Sequence, residues 1–151
     1  MSDLVRATFS LDKHLHDQFE RLADERGYRN RSEFLRDLLR QHLVEEEWEK
    51  DQEALGTITL VYDHHQRQLS AKLMDAQHDH HDIVLATTHV HLSHDLCAET
   101  IMLRGKASAI RTMADTLRKQ KGVLHATLSM SSTGKALKMS LVGAVKRPHA
   151  Q

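Results

Sequence analysis

A single cysteine stands among the 151 residues of this chain. It excludes an intrachain disulfide, and a thiol kept free as a ligand is best preserved in a reducing compartment. Long apolar runs are missing as well: none reaches the roughly 20 residues a membrane-spanning helix needs. The N-terminus lacks the basic and apolar regions of a signal peptide. The expectation is therefore a cytoplasmic protein with no membrane partner. Charge of one sign is also absent, since 21 Lys/Arg balance 21 Asp/Glu. Any nucleic-acid binding must come from local placement of arginine and lysine, because no sequence-wide positive field exists. With one proline, 28% charged and 40% apolar residues, the composition excludes a disordered chain and suits a helical or mixed one.

Histidine, by contrast, is plentiful. Six of the thirteen lie between Gln77 and Glu99, in QHDHHDIVLATTHVHLSHDLCAE, together with the cysteine. The run IVLATTHVHL has strand period, with Val84, Ala86, Thr88, Val90 and Leu92 on one face and Leu85, Thr87, His89, His91 and Ser93 on the other. Side chains at i and i+2 share a face roughly 7 Å apart, so His89 and His91 can lean onto one ion while the other face packs. A turn at Ser93-His94-Asp95 then brings Cys97 back toward the pair at the start of a return strand. Two imidazoles and a thiolate need one more ligand, and His78, His80 and His81 stand just before the strand. Such an N/S set suits Zn(II), Cu(II) or Ni(II), whereas Mg(II) and Ca(II) prefer oxygen.

Residues 4 to 11, LVRATFSL, also alternate, placing Val5, Ala7, Phe9 and Leu11 opposite Arg6, Thr8 and Ser10, and read as a half-buried strand. Asp12 is the expected N-cap of a helix over 12 to 26 that Gly27 stops. Asn30 with Glu33 resembles a capping box that opens a second helix, whose stripe is Phe34, Leu35, Leu38, Leu39 and Leu43. A polar linker is expected near 49 to 56. This first unit has one unpartnered strand and too small a core to stand alone, so it should dimerise through that strand. The resulting two-stranded ribbon would carry Arg6, Thr8 and Ser10 on its exposed face and fit a DNA major groove. Arg31 and Ser32 at the second helix's N-terminus offer backbone N–H groups to a phosphate, and Arg36 can reach the backbone too. Residues 1 to 47 hold eight Lys/Arg against eleven Asp/Glu, so this half has no basic footprint.

From Gly56 the pattern changes. TITLVYD at 57 to 63 is a strand, 64 to 75 a helix, then follow the histidine strand, a return strand near 97 to 103, a helix over 108 to 121 and the closing strand VLHATLSM. The order βαββαβ is the ferredoxin-like arrangement, an antiparallel sheet with helices on one face. The fold class is thus α+β. The expected domains are a ribbon-helix-helix unit over 1–48, a linker over 49–56, the βαββαβ unit over 57–131 and a basic, flexible tail over 132–151. From 118 to the end there are seven Lys/Arg and no acid.

RATFSL, GYRNRSEFLRD, QHDHHD and THVHLSHDLCAE in one chain resemble the nickel-responsive regulator (NikR) family over roughly residues 4 to 130. The resemblance implies a ribbon-helix-helix DNA-binding domain and an ACT-like, ferredoxin-type regulatory domain, with chains assembled as a homotetramer, a dimer of dimers, on double-stranded operator DNA. It implies one square-planar Ni(II) per subunit, held by His89, His91 and Cys97 of one chain and His78 of another. It gives Glu99, with Gln77, the role of orienting the ligands. It places Glu33 and Asp37 at a second cation, monovalent or a weakly bound divalent one. Without that cation the two are a helix cap and a surface ion pair with Arg36 or Arg40. His64, Arg67, His81 and His94 are candidates for weaker metal or phosphate contacts. The function so implied is not enzymatic: metal-dependent repression of nickel uptake genes. The competing readings are a metal store or chaperone, which needs no DNA ribbon, and a zinc-stabilised ligand-sensing regulator; an amino-acid-sensing ACT protein would bind a small ligand at its domain interfaces without His89 or Cys97. A zinc hydrolase would need an open coordination position, which four protein donors close.

Overall fold

The computed structural model describes residues 5–66, 68–135 and 137. Arg67 and most of the expected tail lie outside them. The chain divides into two compact units, with a boundary after Arg40.

In the first unit, helix α1 (Lys13–Glu25) begins where Asp12 accepts a hydrogen bond from the Leu15 N–H at 3.0 Å and ends at Gly27, whose φ of +74° suits a residue without Cβ. Helix α2 (Arg31–Glu49) starts after Asn30, whose side chain accepts from the N–H groups of Ser32 and Glu33. Only half of the expected capping box forms, because the Glu33 carboxylate turns to Arg36 instead of reaching back. Phe34 is buried between Phe19 and Tyr28, with ring centroids 5.0 and 5.1 Å away. An Arg31–Glu20 ion pair and a Tyr28–Asp37 hydrogen bond of 2.6 Å join the two helical segments.

Residues 5–12 show no strand, in contrast to the expectation for 4 to 11, and Val5, Phe9 and Leu11 are exposed. A strand exists only through ladder bonds to a neighbour, and this segment has no ladder partner among the described residues.

The second unit begins within α2 and contains β1 (Glu53–Asp63), α3 (Leu69–Asp79), β2 (Val84–His91), β3 (Leu96–Lys106), α4 (Ala107–Arg118) and β4 (Val123–Ser131). The expected βαββαβ order is present as one antiparallel sheet with strand order β2-β3-β1-β4. Several boundaries differ from expectation, among them the end of β3 at Lys106 where about 103 was expected and that of α4 at Arg118 where 121 was expected. Residues 53–56, assigned to a linker, open β1, where Ala54 and Gly56 continue the alternate burial of Ile58, Leu60 and Tyr62. Helix α3 starts later than residue 64 and runs on to Asp79, so His78 sits in its last turn.

The core lies between one sheet face and the helices. Ile58, Leu60, Ile101 and Leu103 meet Leu69 and Leu73 of α3 and Ile110, Met113 and Leu117 of α4, all at 2% exposure or less. Trp48 joins this core from the end of α2, donating to the Ser131 carbonyl at 2.8 Å. Ser132 hydrogen-bonds Glu47, and Lys135 pairs with Glu53. The first residues of the segment expected to be flexible are therefore tied down.

Candidate metal centre

Strand register builds the site. On β2 and β3, His91 faces Cys97 and His89 faces Glu99, while Tyr62 of β1 faces Cys97 from the other side. Cys97, Glu99 and Tyr62 belong to the buried, helix-covered face. β2 is an edge strand exposed along most of its length, so its histidines overhang that face.

The His91 Nδ1 lies 3.2 Å from the Cys97 Sγ. His64, just past β1, brings its Nδ1 to 3.6 Å from the same sulfur. His64, His91 and Cys97 thus offer donor atoms within 4.8 Å of one another. The His89 and His91 rings stand 5.0 Å apart at 75°. The donor chemistry of these residues fits a first-row transition ion, with a soft thiolate and imidazoles on a partly buried shelf.

His89 is held differently. Its Nδ1 is 3.1 Å from the Tyr62 hydroxyl, which donates to Glu99 Oε2 at 3.2 Å. Because the phenolic proton points to Glu99, the hydroxyl accepts from Nδ1–H, leaving the Nε2 lone pair of His89 free for a ligand. Burial and the Glu99 charge push the Tyr62 pKa well above its ordinary value, so the phenol keeps that proton. Gln77 of α3 donates to the other Glu99 oxygen at 2.5 Å and accepts from the Thr87 hydroxyl at 2.7 Å. A continuous chain therefore runs Thr87–Gln77–Glu99–Tyr62–His89. Partners of this kind fix imidazole tautomer and orientation in metal sites.

Among the three histidines before β2, His80 directs its Nδ1 to the Ala76 carbonyl at 2.9 Å and His81 to the His78 carbonyl at 3.1 Å. Both serve the C-terminal end of α3, where carbonyls lack helical partners. His78 is exposed and falls outside the within-chain donor group of His64, His91 and Cys97. A second donor group, His65, His94 and Asp95, lies on the neighbouring loops.

Motif and spacing do not single out Tyr62 or Thr87. The signal for Tyr62 is its place on the apolar face of β1, where a buried hydroxyl must find a partner.

In the first unit Arg6, Thr8 and Ser10 are all exposed. Arg31 pairs with Glu20, and the Ser32 and Glu33 N–H groups are taken by Asn30, so the helix terminus is less open to phosphate than expected. Arg36 bonds the Ser32 carbonyl and Glu33. Arg40 lies 3.5 Å from Glu33 and 2.5 Å from Asp37, so a guanidinium bridges the two carboxylates assigned to a second cation.

Family comparisons agree with this two-part architecture. Residues 5–46 match the ribbon-helix-helix protein, copG family, and residues 55–131 match the NikR C-terminal nickel-binding domain. Fold and site together define a DNA-binding regulator with a metal-binding module. A protein named as a putative nickel-responsive regulator in Syntrophus aciditrophicus is 48% identical over 134 residues, covering 89% of this chain and 98% of the relative. The corresponding protein of Geobacter sulfurreducens is 49% identical over 138 residues, covering 91% and 99%. That of Solibacter usitatus is 48% identical over 139 residues, covering 91% and 100%. The chain belongs to the NikR family of nickel-responsive transcriptional regulators. No helix among the described residues is long and apolar enough to cross a membrane.

Proposed function

We propose that this protein is a nickel-dependent repressor of nickel uptake genes that binds operator DNA as a homotetramer, with one Ni(II) per subunit. The observation that carries the reading is the 3.2 Å approach of His91 Nδ1 to the Cys97 sulfur, beside a His89 whose free Nε2 is set by Tyr62. His89, His91 and Cys97 supply three donors, and His78 of a second copy supplies the fourth. Glu99 and Gln77 orient them. The exposed Val5, Phe9 and Leu11 gain a partner when residues 4 to 11 pair with the same segment of another chain, presenting Arg6, Thr8 and Ser10 to the major groove. Arg31, Ser32 and Arg36 contact phosphates after exchanging their present partners. The place of action is the cytoplasm.

A bound ion joins two subunits in this scheme. If it favours the assembly that suits DNA, DNA must tighten the metal by the same factor. Glu33 and Asp37 take a cation only where Arg40 yields its bridge. The position of His64 favours a second donor set, His64 with His91 and Cys97, for ions that accept a tetrahedral site.

The test is a visible-absorption titration of the full-length apo-protein with Ni(II), with and without promoter DNA, on wild type, Cys97→Ala, His78→Ala and His64→Ala. A thiolate-to-nickel band saturating at one ion per chain, lost in the first two variants, kept in the third and accompanied by DNA binding, is expected. DNA binding indifferent to metal would overturn the repressor reading. A band lost with His64 and kept without His78 would replace the fourth ligand.

A further inference from the structure

Beside the Cys97 site, the loop after β1 and the β2–β3 turn carry chemistry that the proposed function does not use. His65 Nε2 and His94 Nδ1 converge on one oxygen, Oδ1 of Asp95, at 3.0 and 2.8 Å. The two rings stack with centroids 5.4 Å apart at 30°. All three donor atoms lie within 4.8 Å of one another, although the residues come from loops about thirty positions apart in the chain.

The frame that presents them is tied by backbone. The His64 N–H donates to the Asp95 carbonyl at 3.2 Å, which pins one loop to the other. Asp63 accepts from the His65 N–H at 2.9 Å, and the Ser93 hydroxyl accepts from the N–H groups of Asp95 and Leu96 at 3.3 and 3.2 Å.

From this geometry we infer that His65, His94 and Asp95 form a second site for a first-row divalent transition metal, separate from the Cys97 site and weaker than it. Two imidazole nitrogens and a carboxylate oxygen suit Zn(II), Ni(II) or Co(II). All three side chains are exposed, so water completes the coordination. The set has no thiolate and no buried member, which makes it the weaker of the two. Binding replaces the two ring-to-carboxylate hydrogen bonds, with each neutral imidazole carrying its proton on the opposite nitrogen. The His64 and His65 rings lie 4.1 Å apart, so the second ion sits next to a histidine that already touches Cys97.

The probe is Zn(II) alone, added to full-length protein labelled with nitrogen-15 and followed through the histidine ring nitrogens. In wild type, His65 Nε2 and His94 Nδ1 are expected to move from the protonated to the ligated range as Zn(II) exceeds one ion per chain. Asp95→Asn should abolish that shift at the same Zn(II), and His65→Gln should weaken the His94 response at least tenfold in Zn(II) concentration. Cys97→Ala should leave both shifts in place, which separates this site from the one proposed above. The inference is overturned if the two rings do not respond, if Asp95→Asn leaves the response intact, or if the response vanishes with Cys97.

Discussion

Replacing Tyr62 with Phe removes one oxygen from the middle of the chain that runs from Thr87 to His89, and leaves the ring where it is. Tyr62 is 1% exposed, so its hydroxyl makes these contacts inside the fold. Two hydrogen bonds are lost, one to the Glu99 carboxylate and one to His89. Glu99 keeps its bond from Gln77, so its charge is not stranded. A hydrogen bond to a charged group contributes about 1.5–3 kcal/mol, and the retained partner puts the stability loss at the low end of that range. The larger effect falls on the metal. With Nδ1 of His89 released, the ring can rotate and take the other tautomer, and loss of such an orienting partner costs about 10–100-fold in metal affinity. The assay is a Ni(II) competition titration against a chelator of known affinity, run beside urea unfolding of the same apo-protein. Gln77→Ala, which acts one bond further from His89, should show a smaller affinity loss. If Tyr62→Phe lowers stability but binds Ni(II) within about twofold of wild type, a change smaller than an orienting partner should produce, the hydroxyl supports packing alone and the orienting argument fails.

Three other substitutions test the frame. Leu60→Ala, at a fully buried position against α3 and α4, should lower unfolding free energy by about 2–5 kcal/mol in urea titration. Gly56→Ala would set a Cβ 2.8 Å from Ile110 Cγ2, and should destabilise by about 1–3 kcal/mol through overpacking, measured as a lower Tm. Asp37 carries the pH dependence of the first unit. The Tyr28 hydrogen bond first, then Arg40, hold its pKa below the ordinary value. A carboxylate depressed in the folded state stabilises above its unfolded pKa and loses that contribution as pH falls through the folded one. Helix content of the N-terminal unit should therefore hold near neutrality and decline only below about pH 4. In Asp37→Asn that acid-dependent component should shrink, and an unchanged acid profile by circular dichroism would refute its assignment to Asp37.

Much of the fold was legible because it follows from local pattern. Asp12 and Gly27 bracket α1 through a side-chain cap and a left-handed backbone, and both are properties of a few adjacent residues. The alternation of β2 placed His89 and His91 on one face by strand period alone, and the βαββαβ order followed from the succession of periods. Boundaries were less legible. Residues 53–56, Glu-Ala-Leu-Gly, follow the polar stretch 49–52 and are too short to show a period of their own, yet they open β1 because β3 extends to Lys106 and supplies the ladder.

The sequence by itself determined which residue types are available: a thiol, a cluster of imidazoles, and the carboxamide and carboxylate of Gln77 and Glu99. Only the tertiary structure decided which of them meet. His64 and Cys97 are 33 positions apart, and they approach because β1 and β3 pair in a register that ends both strands at the same level. Tyr62 reaches Glu99 and His89 through that same register, and His65 reaches Asp95 because two loops exit the sheet side by side. Contacts of this kind depend on strand pairing over long separations, and no local periodicity encodes them. The N-terminal segment shows the complementary case: its alternation suits a strand, but ladder bonds need a second backbone, and none of the described residues supplies one.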